Sequence, residues 1–185
     1  MQTRIHDLAS APQAATKILQ GAQDDFGMIP NLLGVLAESP PTLEAYTTLG
    51  GLFGESALTD IERNVVWLTI SFENDCHYCV PAHTAIAMRD DVPEETIEKL
   101  RAGESLNDSK LEALRNFTAL MVRNRGRASE AELETFLEAG FEQRHVFEVI
   151  LGIAHKTISN YVNHVAETPV DEPFKKFDWN KAEAA

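Results

Sequence analysis

The chain has 185 residues, 44% of them apolar and 24% charged, enough to bury one core and too apolar for a disordered chain. Sixteen Lys and Arg stand against 29 Asp and Glu, a formal net charge of -13, and such a surface repels nucleic acid and anionic lipid. The excess acid is spread through "DD", "EE" and "EAELE" segments rather than gathered in a tail, which serves solubility.

In chain order, "MQTRIHDLASAPQAATK" lacks the apolar run of a secretory leader, and no window approaches about 18 uninterrupted apolar residues, so a cytoplasmic address without membrane contact is expected. "PQAATKILQGAQDDFG" repeats Ala15, Ile18, Leu19 and Ala22 at helical spacing, and Gly27 stops it. "IPNLLGVLAESP" reads as a short helix opened by Pro30, and "PPTLEAYTTLGGLFGES" as another, whose Gly50 and Gly51 allow a close helix contact. Thr59 caps "TDIERNVVWLTISFEN" with Glu62 in the capping-box position. Its interior is apolar nearly all round, the pattern of a helix buried on most sides.

Asp75 is the expected N-cap of a helix running from Cys76 to about Arg89. "PEETIEKLRAG", "NDSKLEALRNFTALMVRNRG", "SEAELETFLEAG" and the long "EQRHVFEVILGIAHKTISNYVNHVAET" complete the set. With no strand alternation, the expected fold class is all-α: a bundle of about eight helices in a single domain, core 12–168, with 169–185 as an extended C-terminal arm on this subunit or a neighbour.

The chemistry is concentrated in "DCHYCVPAHT", which holds both cysteines of the chain. On a helix, Cys76, Cys79 and His83 fall at i, i+3 and i+7 on one face, and Cβ atoms roughly 5–6 Å apart come within disulfide reach after modest adjustment. A first-turn Cys76 would gain from unpaired N–H groups and the helix dipole, while His83, one turn beyond Cys79, can take or return its proton. Spacing leaves the attacking sulfur undecided, although the nearby histidine favours Cys79. In a reducing compartment a C-x-x-C pair points to redox or metal chemistry rather than a staple. The competing readings are two buried thiols with a satisfied core histidine, or a zinc site completed by His77 or Glu73; the expectation is a redox dithiol with no bound metal.

The segment "LTDIERNVVWLTISFENDCHYCVPAHT", residues 58 to 84, resembles the AhpD-like, carboxymuconolactone decarboxylase superfamily of small helical alkylhydroperoxidases, and later stretches resemble its less specific C-terminal part. That resemblance implies a dithiol cycle in which Cys79 faces the peroxide, Cys76 resolves it as a disulfide and His83 belongs to a proton relay. It also implies a lipoyl-bearing reductant, a peroxiredoxin partner and a trimeric or hexameric homo-oligomer. One departure stands out: the family's relay glutamate, twelve residues before the first cysteine, is here Asn64, which cannot exchange protons at neutral pH. Glu73 and Glu62 are the nearby substitutes, and His77 and Tyr78 occupy the inner positions that tune the thiols.

The expected function is thus a thiol-dependent peroxidase or disulfide oxidoreductase, acting on a hydroperoxide or a partner disulfide. With no G-x-G-x-x-G and no G-x-x-x-x-G-K, it holds no nucleotide cofactor and draws electrons from an external thiol. Trp67, Phe72 or Tyr78 would line a water-excluded mouth suited to an organic hydroperoxide. His155, Asn160, Asn163 and His164 read as a hydrated or subunit-contact face rather than a substrate site. The alternatives are a lactone decarboxylase working by acid–base chemistry, against which the cysteine pair counts, and a non-enzymatic zinc-binding or oligomeric scaffold.

Overall fold

Thr59 starts the helix around which the fold is built: its side chain accepts from the Glu62 backbone N–H while the Glu62 carboxylate accepts from the Thr59 N–H. In the computed structural model, which describes residues 3–184, that helix is α4, Asp60–Glu73. It follows α1 Gln13–Phe26, α2 Asn31–Leu36 and α3 Pro40–Gly54, and precedes α5 Cys79–Arg89, α6 Glu94–Ala102, α7 Ser109–Arg123, α8 Glu130–Glu138 and the long α9, Gln143–Ala166. A 3-10 helix, Glu172–Phe177, and a last turn, α10 Lys181–Ala184, close the chain. Among the described residues there is no strand, so the all-α expectation holds, with ten α-helices where about eight were anticipated. No helix among these residues is long and apolar enough to cross a membrane.

α4 packs against α5, α7 and α9, and α3 lies along α9. Val65, Val66, Leu68 and Ile70 of α4 are buried in the larger core with Phe53, Val80, Leu114, Phe136 and Val149. Full burial of such a side chain contributes about 1.5–3 kcal/mol. Gly152 sets the close approach of α9, since a Cβ there would stand 2.9 Å from Phe53 and Val66 atoms. Of the two glycines expected to allow close contact on α3, only Gly50 does: a Cβ would come 3.0 Å from the His155 ring, whereas Gly51 faces open space.

A second core joins Ala15, Leu19, Leu32, Leu36 and Leu43 to Cys76, Tyr78 and Cys79. The cysteines therefore form part of the wall between the N-terminal helices and the α4–α5–α9 layer. The C-terminal arm, with its 3-10 helix and last turn, lies across this chain. The Asp171 carboxylate accepts from the Tyr78 hydroxyl and the Asn31 N–H, Trp179 donates to the Arg101 carbonyl and Lys181 to that of Phe72. Satisfied polar groups and the Phe72–Trp179 ring contact order a tail that its prolines made look irregular.

Candidate redox site

The dithiol is built at a sharp junction. α4 ends at Glu73, Asp75 adopts a left-handed conformation (φ 53°), and the Cys76 N–H returns to the Ser71 carbonyl at 3.0 Å. α5 then begins at Cys79, three residues later than expected, because Asp75 turns the chain instead of capping it. Tyr78 stands at the N-cap without a side-chain cap bond, and Cys76 serves the first turn instead: its carbonyl accepts from the Val80 N–H at 3.1 Å and its sulfur from the Cys79 N–H at 3.3 Å.

Both thiols are buried, as is His83. Facing them is α9, whose Lys156, Ser159, Asn160 and Asn163 recur at i, i+3, i+4 and i+7 and so share one face. The Asn163 amide donates to Cys79 Sγ at 3.3 Å and lies 3.9 Å from Cys76 Sγ. Lys156, almost wholly buried, sets its ammonium 2.7 Å from His83 Nε2. Trp67 packs on the other side of His83, ring centres 5.1 Å apart, and Tyr46 stacks on His155 at 4.5 Å.

These contacts make the two sulfurs unequal. Burial opposes ionisation of Cys79, but the hydrogen bond from Cys76, the charge of Lys156 and donation from Asn163 and Ser159 outweigh it, holding this thiol well below its usual value. Cys76 moves the opposite way: its hydrogen bond to Cys79 and then its burial push it up, so it keeps its proton. The surroundings therefore favour negative charge on Cys79 and the proton on Cys76.

Burial, the Lys156 ammonium and His155 hold His83 well below the ordinary histidine range. Burial and Lys156 also bring His155 down to about 3. His83 is therefore neutral and accepts at Nε2, which places its proton on Nδ1, an atom with no partner among the described residues. Burial, then the Cys79 charge, pushes the Tyr46 hydroxyl up, so it stays protonated.

The five relay candidates lie elsewhere in the hydrogen-bond network. Glu73 binds Arg123 through both oxygens at 2.7 Å; Glu62 closes the Thr59 cap and pairs with Lys110; Asn64 donates to the Asp60 carbonyl and to Asp90. His77 bonds the Thr168 carbonyl and borders a groove with Val170, Trp179 and Asn180, while Tyr78 bonds Asp171. Of the aromatic mouth, Trp67 packs on His83 and Tyr78 lies in the core with the two cysteines, whereas Phe72 packs on Trp179. His155, Asn160 and Asn163 are buried toward the dithiol layer rather than hydrated, whereas His164 is exposed and bonds the Asp75 carbonyl. Sequence reasoning passed over Lys156, Ser159 and Tyr46; the available signal was a lone lysine in the mostly uncharged run "GIAHKTISNYVNHV".

Among the described residues, no group of three His, Cys, Asp or Glu is placed to hold a metal ion. The two residues that could complete a zinc site are engaged by Thr168 and Arg123, and an ammonium occupies His83 Nε2.

The architecture is that of AhpD-like helical proteins. It aligns with the alkylhydroperoxidase AhpD core of a peroxidase-related protein from Ralstonia eutropha JMP134 at TM-score 0.84 and 21% identity, over 94% of this chain and 93% of that one. A peroxidase-related protein from Silicibacter sp. TM1040 aligns at TM-score 0.80 and 24% identity, over 94% and 95%. A complex of a variant of the debrominase Bmp8 with 2,3,4-tribromopyrrole aligns at 0.77 and 15%, over 100% and 98%. Residues 40–114 match the Carboxymuconolactone decarboxylase family, and no curated protein matches the sequence. The chain thus has an AhpD-like helical fold, and it is similar to the Carboxymuconolactone decarboxylase family over residues 40–114.

Proposed function

We propose that the chain is a thiol-dependent peroxidase or disulfide oxidoreductase that cycles Cys76 and Cys79 between dithiol and disulfide. The observation that carries this reading is the inequality of the two sulfurs, with Asn163 and Lys156 favouring charge on Cys79 and the Cys76 thiol beside it. The Cys79 thiolate attacks the outer oxygen of a hydroperoxide, the O–O bond breaks, and an alcohol leaves with one proton. Cys76 then displaces hydroxide from the Cys79 sulfenic acid, forming the disulfide and water. An external dithiol returns two electrons and two protons by exchange.

The superfamily resemblance suggests a lipoyl-bearing protein as that donor and a peroxiredoxin as an oxidised partner, in the reducing cytoplasm. Exposed Phe147, Ile150, Tyr161 and Val165 along α9 support assembly with further copies of the chain, as the family's trimers or hexamers would require.

The test is to mix reduced protein with a small excess of tert-butyl hydroperoxide and analyse it by mass spectrometry under non-reducing conditions. Loss of two hydrogens within the peptide carrying both cysteines, reversed by dihydrolipoamide, is the expected result. Thiols that stay unreacted would reject the peroxidase reading.

A further inference from the structure

Lys156 is a cation where the fold offers little water, 1% exposed in the middle of α9. Burying an ammonium is costly unless an opposite charge and hydrogen bonds compensate it. Among the described residues its ammonium pairs with no carboxylate; its partner is the neutral ring of His83. The negative charge that its field favours is on the Cys79 sulfur, which accepts from Asn163 on the same face of α9 as Lys156. The carboxylate position of the family's relay is filled by Asn64, held by Asp60 and Asp90.

We propose that Lys156 is the resident cation of the dithiol: the counter-charge of the Cys79 thiolate and, through His83, the source of the proton taken by the departing alkoxide. The proposal rests on the peroxidase reading for its second half only. As the O–O bond breaks, His83 Nδ1 gives its proton to the leaving oxygen and Nε2 receives one from Lys156. Cys76 supplies the second proton when the sulfenic hydroxyl leaves as water. Counted over the cycle's first half, thiolate, thiol, ammonium and hydroperoxide become disulfide, neutral amine, alcohol and water, with no proton drawn from solvent. An external dithiol then restores thiol, thiolate and ammonium with its two hydrogens. The site stays electrically neutral in both states, which is what a buried lysine with a removable counter-charge requires.

The experiment follows the ultraviolet thiolate band of the whole reduced protein while it reacts with one equivalent of tert-butyl hydroperoxide in a weakly buffered indicator solution. The ionisable groups that act on Cys79 are Cys76 from the loop, Tyr46 from α3 and Lys156 from α9, and Lys156 in turn acts on His83 of α5 and on its neighbour His155. The expected result is a thiolate band before oxidation, its loss on disulfide formation, and no net proton exchanged. Uptake of one proton per disulfide would overturn the proton-source role.

Lys156→Met is expected to lose the band at neutral pH and to slow iodoacetamide alkylation of Cys79 by about tenfold or more, the effect of about 1.4 kcal/mol or more of lost thiolate stabilisation. An unchanged band and rate would overturn the counter-charge role. Lys156→Arg keeps a cation that cannot be deprotonated, so it should retain the band, form the disulfide more slowly and draw one proton from solution. Wild-type speed without proton uptake in that variant would defeat the proposal. Should the Met variant not fold, the wild-type proton count and the Arg variant decide. A wild type inert to peroxide whose thiolate band still vanishes in Lys156→Met would reject the function proposed above and sustain the counter-charge.

Discussion

Asn163 offers the cleanest single perturbation of the site. Its side-chain amide donates to Cys79 Sγ at 3.3 Å, and that hydrogen bond helps lower the thiol. Replacing it with Leu keeps the approximate volume and removes the donor, leaving the Lys156–His83 contact in place. A hydrogen bond to a charged group is worth about 1.5–3 kcal/mol, and about 1.4 kcal/mol is tenfold, so the thiolate-to-thiol ratio of Cys79 at any fixed pH should fall about ten- to a hundredfold. The sign is unambiguous: the donor stabilises only the charged form strongly, so its loss moves the Cys79 titration to higher pH. The assay is a pH series of ultraviolet thiolate absorbance on reduced protein, with Cys76→Ser as background so that one sulfur titrates, and with helical circular dichroism as the check on folding. Titration curves that superimpose with and without the Asn163 amide would refute the assignment of this bond as a determinant of thiolate charge.

Three further outcomes follow from the coordinates. We predict that Tyr78→Phe, which removes the hydroxyl bound to the buried Asp171, costs about 1–3 kcal/mol in urea denaturation and exposes residues 169–184 to limited proteolysis; an unaltered digestion pattern would argue against the arm being held there. Gly103→Ala should lower the melting temperature more than Gly126→Ala, because both glycines have positive φ but only at Gly103 would a Cβ strike a neighbour, 2.3 Å from the Phe72 ring. Acid should destabilise the protein before its carboxylates titrate. His155 is brought from 6.5 to about 3 and His83 well below 6.5, so their contribution is intact above about pH 6.5 and is lost on descent toward pH 3, by up to about 1.4 kcal/mol per pH unit for each ring. Urea denaturation between about pH 7 and 5 measures that slope, and a flat profile would contradict neutral burial of the two rings.

The parts of the fold readable in sequence are those decided within one turn of chain. Thr59 with Glu62 and Ser129 with Glu132 are capping boxes because both partners lie three residues apart, and Gly27 and Gly103 end helices because their φ is positive. The start of α5 escaped the same logic because Asp75 turns the chain in a left-handed conformation and no side chain caps the helix at Tyr78. The C-terminal arm escaped it because its order comes from partners far along the chain: Asp171 meets Asn31 and Tyr78, and Trp179 meets Arg101. The site divides in the same way. Cys76, Cys79 and His83 declare themselves by spacing, whereas Lys156 lies 73 residues from the ring it touches. The polar positions of α9 were visible, but the direction each one faces is set by how that helix packs on α3 and α4, which no local pattern encodes.

That division bears on how such a scaffold acquires chemistry. Burial alone would keep both thiols of the C-x-x-C protonated, since desolvation raises both. The sign reverses at Cys79 through its contact with Cys76 and through the face of α9 that supplies Lys156, Ser159 and Asn163. Fold-mates at 15–24% identity retain the helical frame at TM-scores of 0.77–0.84, and a frame conserved at that level leaves the residues of a facing helix free to differ. The α4–α5 junction thus brings the sulfurs together and sets their mutual hydrogen bond, while α9 adds the cation and the donors that further favour charge on Cys79.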